Sequence, residues 1–219
     1  MKAFLEKYRY EFLLIALLQL LFNKIFFPSE SIYIGFVWPL NMMMISIANY
    51  FIFKEKSRSK KNIRNILAFI SIIMPFLFII FNKYSDFLYF LTIFYILYYG
   101  FMFYEVLFQI VYTHEVKLNI VFSSLCGYLL LTLVALFCFI LVDLLIPNSF
   151  HGITEIGLAK KYNEFSYFSF ITLTSIGFGD IYPQHDSSRL LVAFFGMMGQ
   201  FYMVAVVGII ISKFTNNLK

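Results

Sequence analysis

Long, nearly uninterrupted apolar blocks alternate along this chain with short polar links. A helix crossing the hydrocarbon core of a bilayer needs about 20 mostly apolar residues, and six blocks approach or exceed that length. The first runs from about Phe12 to Phe27. It is short and carries Lys24 near one end, where the ammonium can snorkel to the interface. Pro28-Ser29-Glu30 supplies a turn. The second block spans about Ile32 to Phe53, and the third about Ile66 to Phe81 with Pro75 inside it, where a kink is expected. Asn82 to Asp86 forms a short turn before the very aromatic fourth block, Phe87 to Tyr112. After the polar link Thr113 to Asn119, the fifth block runs from Ile120 to Ile146 and stops at Pro147. A segment of mixed polarity, Asn148 to Asn163, then leads to a shorter apolar stretch, Glu164 to Thr174. The sixth block, Leu190 to Ser212, is bracketed by Arg189 and Lys213 with no charge between them.

Composition agrees with this pattern. Of 219 residues, 61% are hydrophobic and 13% charged, and the mean hydropathy is +0.82; soluble domains carry about 25% charged residues. The expected class is an all-α integral membrane protein. The 30 phenylalanines and 16 tyrosines suit lipid contact and the headgroup level respectively. The net charge of +5 reflects topology, not nucleic-acid binding: six basic residues and one acid, Glu55, fall between Lys54 and Arg64, joining two apolar blocks as a cytoplasmic loop. Six spans return the chain to the side where it started, so both termini are expected in the cytoplasm. No small-residue cleavage site follows the first block, which reads as a retained helix rather than a signal peptide. Cys126 and Cys138 stand twelve residues apart on one presumed helix, about 18 Å along its axis, and cannot pair within it. They read as small buried apolar residues.

The densest chemistry lies between blocks five and six, in Thr174-Ser175-Ile176-Gly177-Phe178-Gly179-Asp180. Glycine tolerates backbone dihedrals that other residues avoid. Alternating it with larger residues lets successive carbonyl oxygens face one side, and four such strands would form stacked oxygen rings able to replace a cation's water shell. The stretch resembles the selectivity filter of potassium channels, usually Thr-Val-Gly-Tyr-Gly-Asp, with Ser175 for the threonine, Ile176 for the valine and Phe178 for the tyrosine. The resemblance covers about Lys117 to Lys219; the first half of the chain is similar to the family only in span count.

The resemblance implies a re-entrant pore helix ahead of the filter, with the filter loop between helices five and six. The carbonyls of Ser175, Ile176, Gly177 and Phe178, with the Ser175 hydroxyl and Gly179, would bind dehydrated K+. Tyr167, Phe168, Thr174 and Asp180 would support the filter, with Tyr167 and Phe168 matching an aromatic pair packed behind it. Phe178 has no hydroxyl and Phe168 no ring N–H, so the expected filter is held by packing more than by hydrogen bonds, and its outer end is more easily deformed. Gly199, twenty residues after Gly179, resembles a hinge glycine and is a candidate gating hinge; close helix packing explains it equally. Gln200, strongly polar in mid-helix, would face the cavity or bond a neighbouring helix.

Voltage-gated relatives of this layout carry a basic residue at every third position of the fourth span. Phe87 to Tyr112 has none, and its ionisable acid is Glu105, so voltage gating by that mechanism is not expected. Glu105 and His185 are candidates for pH sensing, against the simpler readings of an interfacial carboxylate and a solvated loop histidine. The six residues after Lys213 leave no room for a cytosolic sensing domain, so regulation would act through the membrane, the loops, the filter or a separate regulatory subunit.

The expected division is 1–113, a peripheral four-helix membrane domain, and 114–219, the pore domain. One filter per chain implies a homotetramer. The expected function is passive potassium conduction at the plasma membrane, without a cofactor and with K+ as the permeant ion. A weakly selective monovalent cation channel is the first alternative, and a non-conducting membrane assembly subunit the second. An enzyme is not expected: the histidines at 114, 151 and 185 lie in separate loops, and Ser175 lacks a nearby base.

Overall fold

The computed structural model describes residues 8–27, 29–52, 58–112, 118–154 and 157–216. The turn at Pro28, the loop part of the basic cluster around Lys54, the link containing His114 and the last three positions lie outside the described residues.

The chain is almost entirely helical. Helix α1 covers Arg9–Phe22 and closes in a 3-10 turn, Asn23–Ile25. Helix α2, Trp38–Ile52, follows a π turn at Tyr33–Val37. Helices α3 (Arg58–Phe81), α4 (Ser85–Tyr112) and α5 (Leu118–Leu145) come next, then α6 (Leu158–Leu173) and α7 (Asp186–Asn216). A two-residue strand on each side of α6, β1 (Phe150–His151) and β2 (Tyr182–Pro183), form an antiparallel pair. Among the described residues five helical stretches are long and apolar enough to cross a membrane: Glu30–Tyr50, Asn62–Phe81, Ser85–Tyr112, Asn119–Leu145 and Asp186–Ser212. Helix α1, at 14 residues, falls short of the usual spanning length.

Three boundaries differ from those read off the apolar runs. Helix α3 reaches back to Arg58, so part of the basic stretch is helical; lysine and arginine are good helix formers and extend a helix beyond its apolar part. Arg64 is buried in that extension, its guanidinium over the Tyr50 ring. Helix α6 begins six residues before Glu164, just after Gly157, whose φ of +101° breaks any helix before it. Helix α7 begins at Asp186, where the Ser188 hydroxyl accepts from the His185 N–H at 3.2 Å and so caps a polar first turn.

The chain divides into two compact units. The first comprises Met1–Tyr84 and Phe101–Leu129. On α1 the buried positions Tyr10, Leu13, Leu17, Leu20 and Leu21 recur every three or four residues, one face of a helix. Some buried polar groups there bond one another: Asn23 donates to Asn41 at 3.0 Å, and the Ser46 and Ser71 hydroxyls meet at 2.7 Å beside the Ala68 carbonyl. Buried Glu105 accepts from Gln109 at 3.0 Å, and Gln109 in turn accepts from the Tyr10 hydroxyl. Cys126 is buried with its thiol directed to the Tyr10 carbonyl; it and Cys138 are both free.

The second unit comprises Ser85–Gly100 and Leu130–Lys219. Its core is aromatic. Tyr95 and Tyr99 stack on Phe137, with centroids 5.0 and 5.7 Å away. Phe139 sits among Phe150, Phe168 and Phe195 at 5.3–5.9 Å. Asp143, buried on α5, is paired with Lys161 of α6 at 2.5 Å. Removing the partner of a buried charge destabilises strongly. Lys161→Met is expected to cost about 3 kcal/mol, the low end for such a loss because Lys161 keeps some solvent contact. Thermal unfolding in detergent measures this, and Asp143→Leu added to Lys161→Met should recover most of the loss.

Candidate functional site

The loop 174–180 leaves the C-terminal end of α6, and its backbone is organised by that end. The last carbonyls of a helix have no intrahelical donor. Here the Ile171 carbonyl accepts from two loop amides, Ile176 at 3.0 Å and Gly177 at 3.2 Å, while the Ser175 N–H goes to Thr172 at 3.1 Å. No described peptide bond is cis, and in a trans peptide the C=O points opposite to the N–H that follows it. The amides of Ile176 and Gly177 face α6; the carbonyls of Ser175 and Ile176 therefore face away from it.

The dihedrals extend this pattern. Ser175, Gly177 and Gly179 have φ of +58°, +53° and +82°, while Ile176 and Phe178 between them lie outside the left-handed region. Such alternation of positive and negative φ is the pattern expected where successive carbonyls turn to a common side. A Cβ on Gly177 or Gly179 would meet nothing within 4 Å, so backbone conformation, not lack of room, requires glycine at these two positions. Ser175 is the non-glycine residue held in this conformation.

Side chains brace the loop at both ends. At its C-terminal end the Tyr167 hydroxyl donates to Asp180 Oδ2 at 2.7 Å, and the Tyr167 ring lies nearly parallel to Phe178 at 6.5 Å. Beside the packing expected there, the phenol on α6, rather than one on Phe178, supplies a hydrogen bond. The bond holds the Asp180 carboxyl below its ordinary range and pushes the Tyr167 phenol up. Phe168 is buried against Phe139 and Phe150. Thr174 turns its hydroxyl back to the Phe170 carbonyl at 2.7 Å, closing the helix instead of facing outward. At the N-terminal end of the loop, Gln200 of α7 donates to Ser175 Oγ at 2.7 Å.

Gly199 packs directly on the end of α6: a Cβ there would come within 2.6 Å of the Leu173 carbonyl oxygen. Close approach is a sufficient reason for this glycine. His185 sits at the start of α7 and accepts there from Ser188 and Arg189.

Two features of the site carried no signal in the sequence. The pairing of β1 with β2 sets His151 opposite Tyr182, the rings stacked at 4.6 Å with Gln184 beside them. It also brings Gly152 (φ +84°) so close to Asp180 that a Cβ would overlap the Asp180 carbonyl oxygen. Nothing around Gly152 in the sequence marks that contact, which exists only once the strands pair.

Gly152→Ala is expected to displace the Asp180 segment and lower thermal stability, whereas Gly35→Ala, with nothing within 4 Å of the added Cβ, should leave it unchanged or raised. The Tyr167–Asp180 bond makes a titration prediction. A lowered carboxylate pKa means that the ionised, hydrogen-bonded form persists through neutral and mildly acidic pH, and its contribution is lost as pH falls through the lowered value. Tyr167→Phe should raise the Asp180 titration toward the ordinary carboxylate range, as read by carboxyl NMR of labelled protein.

Residues 129–216 match the family described as ion channel. A curated relative, two pore potassium channel a of Oryza sativa subsp. japonica, is 30% identical over 107 residues, covering 48% of this chain and 29% of that protein. The chain thus spans less than a third of that relative's length. No solved structure matches the chain. The matched segment holds α6, the glycine-alternating loop and α7 together, and over it the chain is similar to a family of ion channels and to a potassium channel.

Proposed function

We propose that the chain conducts potassium passively through a central pore formed by four copies. The observation that carries this reading is the loop backbone, in which alternate residues at positive φ and amides turned to Ile171 leave carbonyls facing away from α6. Carbonyls of Ser175, Ile176, Gly177 and Phe178 are the proposed K+ ligands, with the Ser175 hydroxyl at one end and Asp180 at the other. A cation sheds its water there because the oxygens replace its hydration shell.

On this reading α6 is a re-entrant half-helix whose carboxyl end, with its partial negative charge, faces a shared cavity. Irregular backbone is tolerated at membrane depth only against protein or water, and the apolar side chains of Ile176 and Phe178, exposed on the single chain at 57% and 70%, fit contact with neighbouring copies. Along α7, Leu190, Met197, Phe201, Val204 and Ile211 are exposed at intervals of three, four or seven residues, one continuous stripe. It suits contact with a second copy or lipid. Counting α1 as a sixth span gives cytoplasmic termini and a filter opening outward at the plasma membrane, with 1–113 as the peripheral part and 114–219 as the pore. Gly199 stays a candidate hinge within α7.

Purified protein in liposomes under a potassium gradient tests the proposal. Potassium flux that barium blocks, and that disappears when sodium replaces potassium, is the expected result. Comparable flux with both ions would instead assign a weakly selective cation pore, and no flux with either would overturn conduction.

A further inference from the structure

A carboxamide in the middle of a membrane-crossing helix is costly unless it is hydrogen-bonded. Gln200, inside the Asp186–Ser212 span, is bonded not to a neighbouring helix but to the loop: its Nε2 donates to Ser175 Oγ at 2.7 Å. Both ends of this bond are fixed in place. On the helix side, the adjacent Gly199 lies against the Leu173 backbone too closely for a Cβ, which seats α7 on the end of α6 at the level of Gln200. On the loop side, Ser175 is held at φ +58° with its N–H given to the Thr172 carbonyl, so the direction of its Cβ is set.

What remains free at Ser175 is χ1. A threonine here, as in the usual filter, is restricted at χ1 by its β-branch. Serine lacks that methyl group, and its hydroxyl could rotate off any cation it is meant to ligate. A hydroxyl has two lone pairs and one proton. Accepting from Gln200 occupies one lone pair and stops the rotation, while the second lone pair stays available to a cation at the end of the oxygen row.

We infer that Gln200 is a positioning residue for the cation site at the Ser175 end of the filter, and that the Gln200–Ser175 hydrogen bond does there what threonine branching does in the usual filter. The inference rests on the cation-pore reading above. It makes α7 a determinant of ion discrimination through one side chain, without that side chain having to touch the ion.

The test uses the full chain in liposomes, with two readouts: the potassium-to-sodium permeability ratio and the barium concentration that halves potassium flux. Gln200→Leu is expected to shift the barium value by about fivefold, the factor that corresponds to the net free energy of one hydrogen bond, and to lower the permeability ratio. Ser175→Thr added to Gln200→Leu should return both values to those of the parent, because the branched side chain restores the χ1 restraint. If Gln200→Leu does not fold, Gln200→Asn, whose shorter side chain retracts the donor from Ser175, is expected to behave in the same way. Parent-like values in a conducting Gln200 variant would overturn the inference and leave the pore reading standing. A shift that Ser175→Thr does not correct would overturn it as well, because Gln200 would then act other than through the hydroxyl. A parent protein that passes no cation would overturn both readings.

Discussion

A peptide unit cannot point its N–H and its C=O to the same side. Everything distinctive in the second unit of this protein follows from that constraint. For a row of carbonyls to face away from α6, the intervening amides must face toward it, and they need acceptors there. The unpaired carbonyls at the end of α6 are those acceptors, so the same bonds that finish the helix orient the loop. The reversals this demands place Ser175, Gly177 and Gly179 at positive φ, a conformation in which glycine costs little and serine needs support.

The surroundings supply that support in layers. The Phe139, Phe150 and Phe168 cluster packs α6 between α5 and β1, and the Asp143–Lys161 pair ties the first turns of α6 to α5. Gly199 lets α7 approach the last turn of α6. Tyr167 and Gln200 then anchor the two ends of the loop through Asp180 and Ser175. Each anchor comes from a helix whose position is already set by packing, so the loop geometry is inherited from rigid elements rather than selected by the loop itself.

Much of this is legible in the sequence, and what is not has a physical reason. Spans are legible because the hydrocarbon core demands a minimum length of apolar helix, and the loop is legible because two glycines, free to take positive φ, alternate with bulky residues between two long apolar segments. Helix starts are hidden where polar residues fill the first turns: α3 begins at Arg58, and α6 at Leu158 with Lys160, Lys161 and Asn163 ahead of its apolar run, since helix formation does not require hydrophobicity. Gln200 was visible as an anomaly, but its partner lies 25 residues away and emerges only when α7 is seated on α6. The Tyr167–Asp180 bond is not legible because its partners lie 13 residues apart and meet only once the loop folds back along α6. Gly152 was silent because its constraint is a carbonyl from another strand.

The central claim is that the carbonyls of the 175–178 row are ligands for potassium. Carbonyl carbon NMR of protein labelled at Ile176 and Gly177, in bilayers at fixed ionic strength, tests it most directly. Resonances that shift and saturate as potassium replaces sodium are the predicted result. Identical spectra in the two salts would contradict it.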